Sequence, residues 1–309
     1  MERPMNPEAI SRLCGQAAPR LLSPSKCRQN APRPRSVAGV AESKVMNKFM
    51  TLDAGATMIP HPEKARKGGE DAFFISNNGL AVGVADGVGG SAVNGVDPGQ
   101  YARSIMYHAK LVAELDRQGV PESPQYMMKE AHRQTILPGS STACIMSINN
   151  ATRSLLAANI GDSGFIVMQD SQVVFQTKPQ QHGFNFPFQL GLNTFVANRP
   201  EQAQALCVSV QPGDIIVAAT DGLWDNLFID ECADIVNEER LIGMSPKGIS
   251  ESLAANAQLR ALDEGGTSPF VESANAHGFE HHSGGKLDDI TVVVCYVTDS
   301  DLTWPRDIL

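Results

Sequence analysis

The most apolar segments of this 309-residue chain run into aspartates. Gly79–Asp86 reads GLAVGVAD, Asp221 and Asp225 stand in ATDGLWDN, and Asp288-Asp289 open KLDDITVVV. Glu70-Asp71 precede an apolar run in GGEDAFF, and Asp162 occupies the turn NIGDSG. Strands this apolar must enter a core, so the acids are held at its rim. An Asp-Gly pair alone is a turn signal, since Asp bonds its own backbone and Gly accepts positive φ. Four or five such acids at converging strand ends are a different matter. Two carboxylates about 4 Å apart repel by roughly 4 kcal/mol at an effective dielectric of 20. The clusters around Asp86, Asp162 and Asp221 contain no Lys or Arg, so divalent ions are the expected counter-charge. Oxygen donors without His or Cys select Mg²⁺ or Mn²⁺ over zinc. Gly87, Gly89 and Gly90 let the backbone approach an ion closely enough for a carbonyl to ligate it.

Composition removes several other classes. Hydrophobic residues are 42% and charged residues 19%, too apolar for a disordered chain. No apolar run approaches the roughly 18 residues of a membrane helix. The net charge of −9 is unevenly spread: residues 1–40 carry +5 and the remainder −14. An acidic body repels polyanions, which argues against nucleic acid as a partner. Six scattered cysteines without a C-x-x-C pair read as buried thiols, not as a disulfide frame or zinc site.

Residues 1–48 are rich in Arg, Pro and Ser and are expected to form a basic, disordered segment. Ile10, Leu13, Ala17 and Leu21 fall near helical spacing, as in an organelle transit peptide, although Pro19 interrupts it. An attached basic tail is the alternative. From about residue 49 the chain alternates short strands with a few helices. Asp97-Pro98 opens a helix along Tyr101, Ile105, His108, Val112 and Leu115. The runs 142–148, 154–160, 165–168 and 172–177 suggest an antiparallel meander. A strand pair is expected to bracket the turn Gln211–Asp214. Helices follow over Ile229–Val236 and from Ser245-Pro246 toward Asp263, then a loop over 264–287 and a last strand, Ile290–Val297. Many antiparallel strands beside a few long helices predict an α+β layered fold.

GGEDAFF, VADGVGG, SSTAC, NIGDSG, ATDGLWDN and LDDITVVV stand in an order and spacing that resembles the metal-dependent serine/threonine protein phosphatase family (PPM, type 2C), over about residues 55–298. IPHPEKARKGGEDAFF, GVDPGQYAR, QQHGFNFPFQL and GGKLDDIT resemble the branch associated with mitochondria and plastids. The resemblance implies a four-layer α-β-β-α sandwich over residues 49–309, with two central antiparallel sheets and a metal cleft at one end. It implies hydrolysis of phosphoserine and phosphothreonine monoesters by a water activated between two Mg²⁺ or Mn²⁺ ions, with a weaker third ion in some members. Asp86 matches the bridging ligand, Gly87 the carbonyl ligand, and Asp221 and Asp288 the other direct ligands. Glu70 and Asp71 match acids that hold metal-bound waters, Asp162 and Asp225 match the third-ion positions, and Arg66 matches the phosphate-binding cation, with Lys64 and Lys67 beside it. A phosphoprotein substrate, a monomer, and a mitochondrial matrix location, with plastid or cytoplasm as alternatives, complete the implied picture.

Two places depart from the family pattern. Val88 replaces a histidine thought to protonate the leaving alcohol; His61 is near in sequence but reads first as an exposed or structural histidine, and a metal-bound water is the other candidate donor. Gly164 replaces a common arginine. A catalytically silent binding domain and a phosphoesterase for small molecules remain open alternatives. The first would be expected to have lost one of Asp86, Asp221 or Asp288, and all three are present. Phe184, Phe186 and Phe188 alternate at strand spacing, which predicts core packing.

Overall fold

The computed structural model describes residues 49–89, 95–115, 123–192, 194, 196–280 and 283–300. The basic segment 1–48, with Cys14 and Cys27, lies outside them, as do Gly90 and His281-His282.

Strand β1 (Phe49–Ile59) leads through a short 3-10 turn at Ala65–Lys67 to β2 (Asp71–Ile75) and β3 (Ala81–Asp86). Helix α1 (Pro98–Glu114) begins where expected, its N-cap Asp97 accepting from the Gly99 amide at 3.0 Å. Helix α2 (Pro124–Gln134) is capped by Ser123. Strands β4 (Gly139–Ser141), β5 (Ala143–Asn149), β6 (Ser154–Ile160), β7 (Gly164–Gln169) and β8 (Gln172–Gln176) follow. Three very short strands, β9 (Gln181–Gly183), β10 (Phe186–Pro187) and β11 (Leu190–Leu192), break up the next loop. The chain continues through β12 (Gln204–Ser209), β13 (Ile215–Ala219), α3 (Asp221–Trp224), α4 (Ile229–Leu241), α5 (Pro246–Ala261), α6 (Pro269–Ala276) and β14 (Ile290–Ser300). Ser245 caps α5 as its Ser-Pro start predicts. Helix α6 falls in a stretch expected to be all loop, with Ser268 capping it and Val271 and Ala274 buried.

Two five-stranded antiparallel sheets stack face to face, one in the order β1-β14-β13-β7-β8 and the other β12-β6-β5-β3-β2. Inner strands such as β3, β5, β7 and β13 are buried on both faces, so alternate residues serve different layers, while the edge strands β8 and β12 are only half-buried on one face. From β13, Ile216 and Ala218 enter the core between the sheets, while Ile215, Val217 and Ala219 pack toward α4 and α5. From β3, Val82 and Val84 face the other sheet, whereas Ala81 and Ala85 pack against α1 and α2. The result is the expected four-layer sandwich, helices outside and sheets within.

The meander is split. Strands β5 and β6 pair in one sheet and β7 and β8 in the other, and the chain changes sheet at Gly161–Ser163. Likewise β12 pairs with β6, not with β13, so the strands flanking Gln211–Asp214 belong to different sheets. The physical reason is that two-sided burial of β5, β6, β7 and β13 leaves them no polar face to mark the partner sheet. Among the cysteines, Cys144, Cys232 and Cys295 are buried, but Cys207 on edge strand β12 is exposed. Phe188 packs on the helix-side core, while Phe186 is 40% exposed and Phe184 stacks instead on Phe270 and Phe279. No helix among the described residues is long and apolar enough to cross a membrane.

Candidate metal centre

Antiparallel register is the first device of the site. Asp71, the first residue of β2, pairs with Asp86, the last of β3, so two acids from separate motifs sit side by side. Beyond them the backbones stay in contact: the Gly87 amide donates to the Glu70 carbonyl at 3.1 Å. A β-carbon on Gly87 would lie 2.6 Å from that carbonyl and 2.8 Å from Pro98, so only glycine lets this strand end meet the start of α1. Thr142 holds Asp86 from the other side, its hydroxyl accepting the Asp86 amide at 3.0 Å and bonding Ser163 at 2.7 Å.

The second sheet supplies Asp221. It starts α3 directly after β13, and Thr220 before it donates its hydroxyl to Asp71 Oδ2 at 2.8 Å across the sandwich. Gly222 admits no side chain, because a β-carbon there would stand 2.0 Å from the Asp289 carbonyl. The crossing turn brings in Asp162. One carboxylate oxygen each from Asp86, Asp162 and Asp221 lie within 4.8 Å of one another. Sequence reasoning named all three. Asp288 stands beside this group, joined to it through Lys286, and Gln181 of β9 donates to Asp162 Oδ2 at 3.0 Å.

Other acids play different parts. Asp289 is 1% exposed and faces backward: it accepts the His61 amide at 2.7 Å, the Glu70 amide at 3.0 Å and the Lys64 ammonium at 3.3 Å. His61 uses its ring to accept the Glu63 amide, a local turn contact. Lys64 also meets Glu70 Oε2 at 2.6 Å and Asp288 at 3.7 Å, while Arg66 lies exposed in its 3-10 turn. Gly164 has a steric reason: Thr177 Oγ1 sits 2.1 Å from where its β-carbon would be, which leaves no room for the arginine common elsewhere.

The expectation that protein cations are absent is wrong. Lys286, which is 65 residues from Asp221 in sequence, places Nζ 2.5 Å from Asp221 Oδ2, 2.7 Å from Asp225 Oδ2 and 3.3 Å from Asp288 Oδ2. The loop entering β14 folds back onto α3, a juxtaposition that local sequence cannot show. Asn226, fully buried, clamps it by donating to the Lys286 carbonyl and accepting its amide, both at 2.9 Å. Sequence reasoning missed Asn226 as well. Its signal was an amide among the acids of ATDGLWDN.

One ammonium does not balance the charge. Burial raises the carboxyl pKa of Asp86 well above its ordinary range, and Asp221 and Asp71 add to it. Burial and then Asp289 do the same to Asp71. Asp162 is pushed to about 6 by burial and Asp221. Asp225 is pushed to about 7 by burial, with Lys286 pulling the other way. Asp162 Oδ1 and Asp221 Oδ1 are buried and have no hydrogen-bond partner among the described residues. Unpartnered buried carboxylate oxygens, grouped without imidazole or thiolate among the described residues, fit a hard divalent cation.

A family model described as stage II sporulation protein E matches residues 76–298. Probable protein phosphatase 2C 80 of Arabidopsis thaliana is 44% identical over 253 residues, 82% of this chain and 60% of its own length. Probable protein phosphatase 2C 26 of the same plant is 36% identical over 271 residues, 84% of this chain and 88% of its own length. The chain spans 45–54% of several other curated relatives, among them probable protein phosphatase 2C 55 of Arabidopsis thaliana at 54%. Among solved structures, the photosystem II phosphatase PBCP superposes with a TM-score of 0.74 at 33% identity, over 80% of this chain and 99% of that one. The catalytic domain of the serine/threonine phosphatase PstP, in complex with two manganese ions, has a TM-score of 0.56 at 15% identity over 81% of this chain and 100% of that one, a likeness of fold.

Proposed function

The chain belongs to the protein phosphatase 2C (PPM) family, and from that premise we propose that it is a metal-dependent protein serine/threonine phosphatase acting on phosphoproteins as a monomer. One observation carries the reading: Asp86 and Asp221 reach from opposite sheets, with Asp162 from the turn between them, into one space short of positive charge. In this reading Asp86, Asp221, Asp288 and the Gly87 carbonyl hold two Mg²⁺ or Mn²⁺ ions, with Glu70 and Asp71 behind them. Bound there, such ions lower the pKa of water and offset charge on the phosphoryl oxygens.

The chain's own residues do the rest. Thr142 and Ser163 fix the backbone of Asp86, and Thr220 ties Asp71 to the Asp221 helix, so the carboxylates are set before any ligand arrives. Arg66, exposed in its 3-10 turn, has no ion pair with an acid among the described residues, unlike Lys64, and is assigned to the substrate phosphate. Val88, whose amide donates to the Ser140 carbonyl, offers no proton to the leaving alcohol. Purified full chain should hydrolyse a phosphothreonine peptide with Mn²⁺ or Mg²⁺ and stop in EDTA; full activity in chelator would refute the reading.

Residues 1–48 are further proposed to be an organelle address. Their net basic charge supports this, with the mitochondrial matrix as the destination and the plastid as the alternative. A fluorescent fusion of residues 1–60 should enter the organelle, and a diffuse cytosolic signal would sink the idea.

A further inference from the structure

Lys286 is built in more firmly than a surface lysine. Its amide and carbonyl are both held by Asn226, and a β-carbon on the preceding Gly285 would lie 2.2 Å from the Arg260 carbonyl, so the loop is pressed against α5. Its three N–H donors meet three carboxylates, those of Asp221, Asp225 and Asp288. The Phe270 ring lies 5.5 Å from Nζ on a further side. Asp225 is half of the pair that the family pattern associates with a third ion, and its Oδ2 is already engaged by the ammonium. Asp162, the other half, has Gln181 on Oδ2.

We propose that the Lys286 ammonium is a resident cation of the acidic centre, occupying the place between Asp221 and Asp225 so that this chain takes two divalent ions and not three. The inference rests on the metal-dependent reading above and adds the ion count and the residue that sets it. The ammonium takes Oδ2 of Asp221, Asp225 and Asp288 and leaves Asp221 Oδ1 unpartnered for the two retained ions; a divalent ion cannot share those Oδ2 atoms with it without mutual repulsion, so removing the ammonium opens the place between Asp221 and Asp225.

Mn²⁺ content is measured by equilibrium dialysis and elemental analysis on the full chain. The wild type should hold two Mn²⁺, and Lys286→Met should gain a third or bind Mn²⁺ at least tenfold more tightly. Unchanged stoichiometry and affinity in Lys286→Met would overturn the proposal, whereas the metal-dependent reading is judged separately, by whether the wild type binds Mn²⁺ at all. Asp225→Asn in the wild-type background gives an independent answer should Lys286→Met fail to fold. With Asp225 engaged by Lys286, that variant should keep both ions with affinity within threefold, whereas loss of one ion would show that Asp225 holds metal. A wild type that binds no Mn²⁺ would overturn both this proposal and the metal-dependent reading.

Discussion

Replacing Asp162 by Asn tests whether the acidic centre is strained when stripped of metal. The carboxyl is raised from its ordinary 3.8 to about 6 by burial and by Asp221, which amounts to about 3 kcal/mol at about 1.4 kcal/mol per tenfold in affinity for the proton. Because the folded state holds this proton more tightly than the unfolded chain, the stabilisation is fully present below pH 3.8 and is lost as pH rises through about 6. Asn is neutral throughout and can still accept from Gln181. In EDTA at pH 8, therefore, Asp162→Asn should be more stable than wild type by about 3 kcal/mol, or roughly 6–12 °C in Tm for a domain of this size. At pH 5 roughly half of that gap should close as the wild-type carboxyl protonates. Saturating Mn²⁺ should shrink the gap, since divalent charge held by neighbouring Asp221 offsets the repulsion that destabilises the ionised Asp162 of the metal-free wild type. Calorimetry across pH 5–8 measures all of this. A variant that melts below wild type in EDTA at pH 8, or a gap that does not narrow toward pH 5, would refute the reasoning.

Asp86→Asn and Asp221→Asn should each lower Mn²⁺-dependent hydrolysis of a phosphothreonine peptide by more than about 100-fold while circular dichroism stays native, with Asp162→Asn milder; equal loss in all three would contradict this ranking. Gly222→Ala puts a methyl group 2.0 Å from the Asp289 carbonyl and should cost about 3 kcal/mol in urea denaturation, whereas Gly243→Ala, at a loop φ of 78° with open space around it, should cost only about 1 kcal/mol. Asn226→Ala removes three buried hydrogen bonds and should cost about 3 kcal/mol, and its Mn²⁺ titration should differ from wild type because Lys286 loses its clamp. Arg66→Ala should raise KM for the phosphopeptide several-fold with little change in thermal stability; unchanged KM would move the phosphate contact to another cation.

What sequence reveals here follows the range of the forces involved. Helix starts at Asp97 and Ser245 depend on a side chain and an amide two or three residues away, and they are legible. Acids at strand ends are legible for the same reason, which is why Asp86, Asp162 and Asp221 could be named. Sheet membership is not, since the turn at Gly161–Ser163 crosses between layers with the same residue types that close a hairpin. Lys286 reaches Asp221 only because β14 returns to lie between β1 and β13, and Thr220 reaches Asp71 only because two sheets stack. Helix α6 was hidden by flanking Gly and His residues, although Ser268-Pro269 carries the same start signal as Ser245-Pro246.

The pairing of β1 with β14, from Phe49 opposite Ser300 to Ile59 opposite Ile290, bears on how the protein is made. Every strand of the β12-β6-β5-β3-β2 sheet lies within residues 71–209, so that sheet can assemble on α1 and α2 while the ribosome is still extending the chain. The partner sheet cannot. Its β14 lies between β1 and β13 and is translated after all of its neighbours, so β1 waits for a strand that begins about 230 residues later. Such long-range closure is slow. Meanwhile Val82, Val84, Met146 and Leu155 lack the sheet that will cover them, and a nascent chain carrying that bare apolar face is prone to aggregate until β14 has been made.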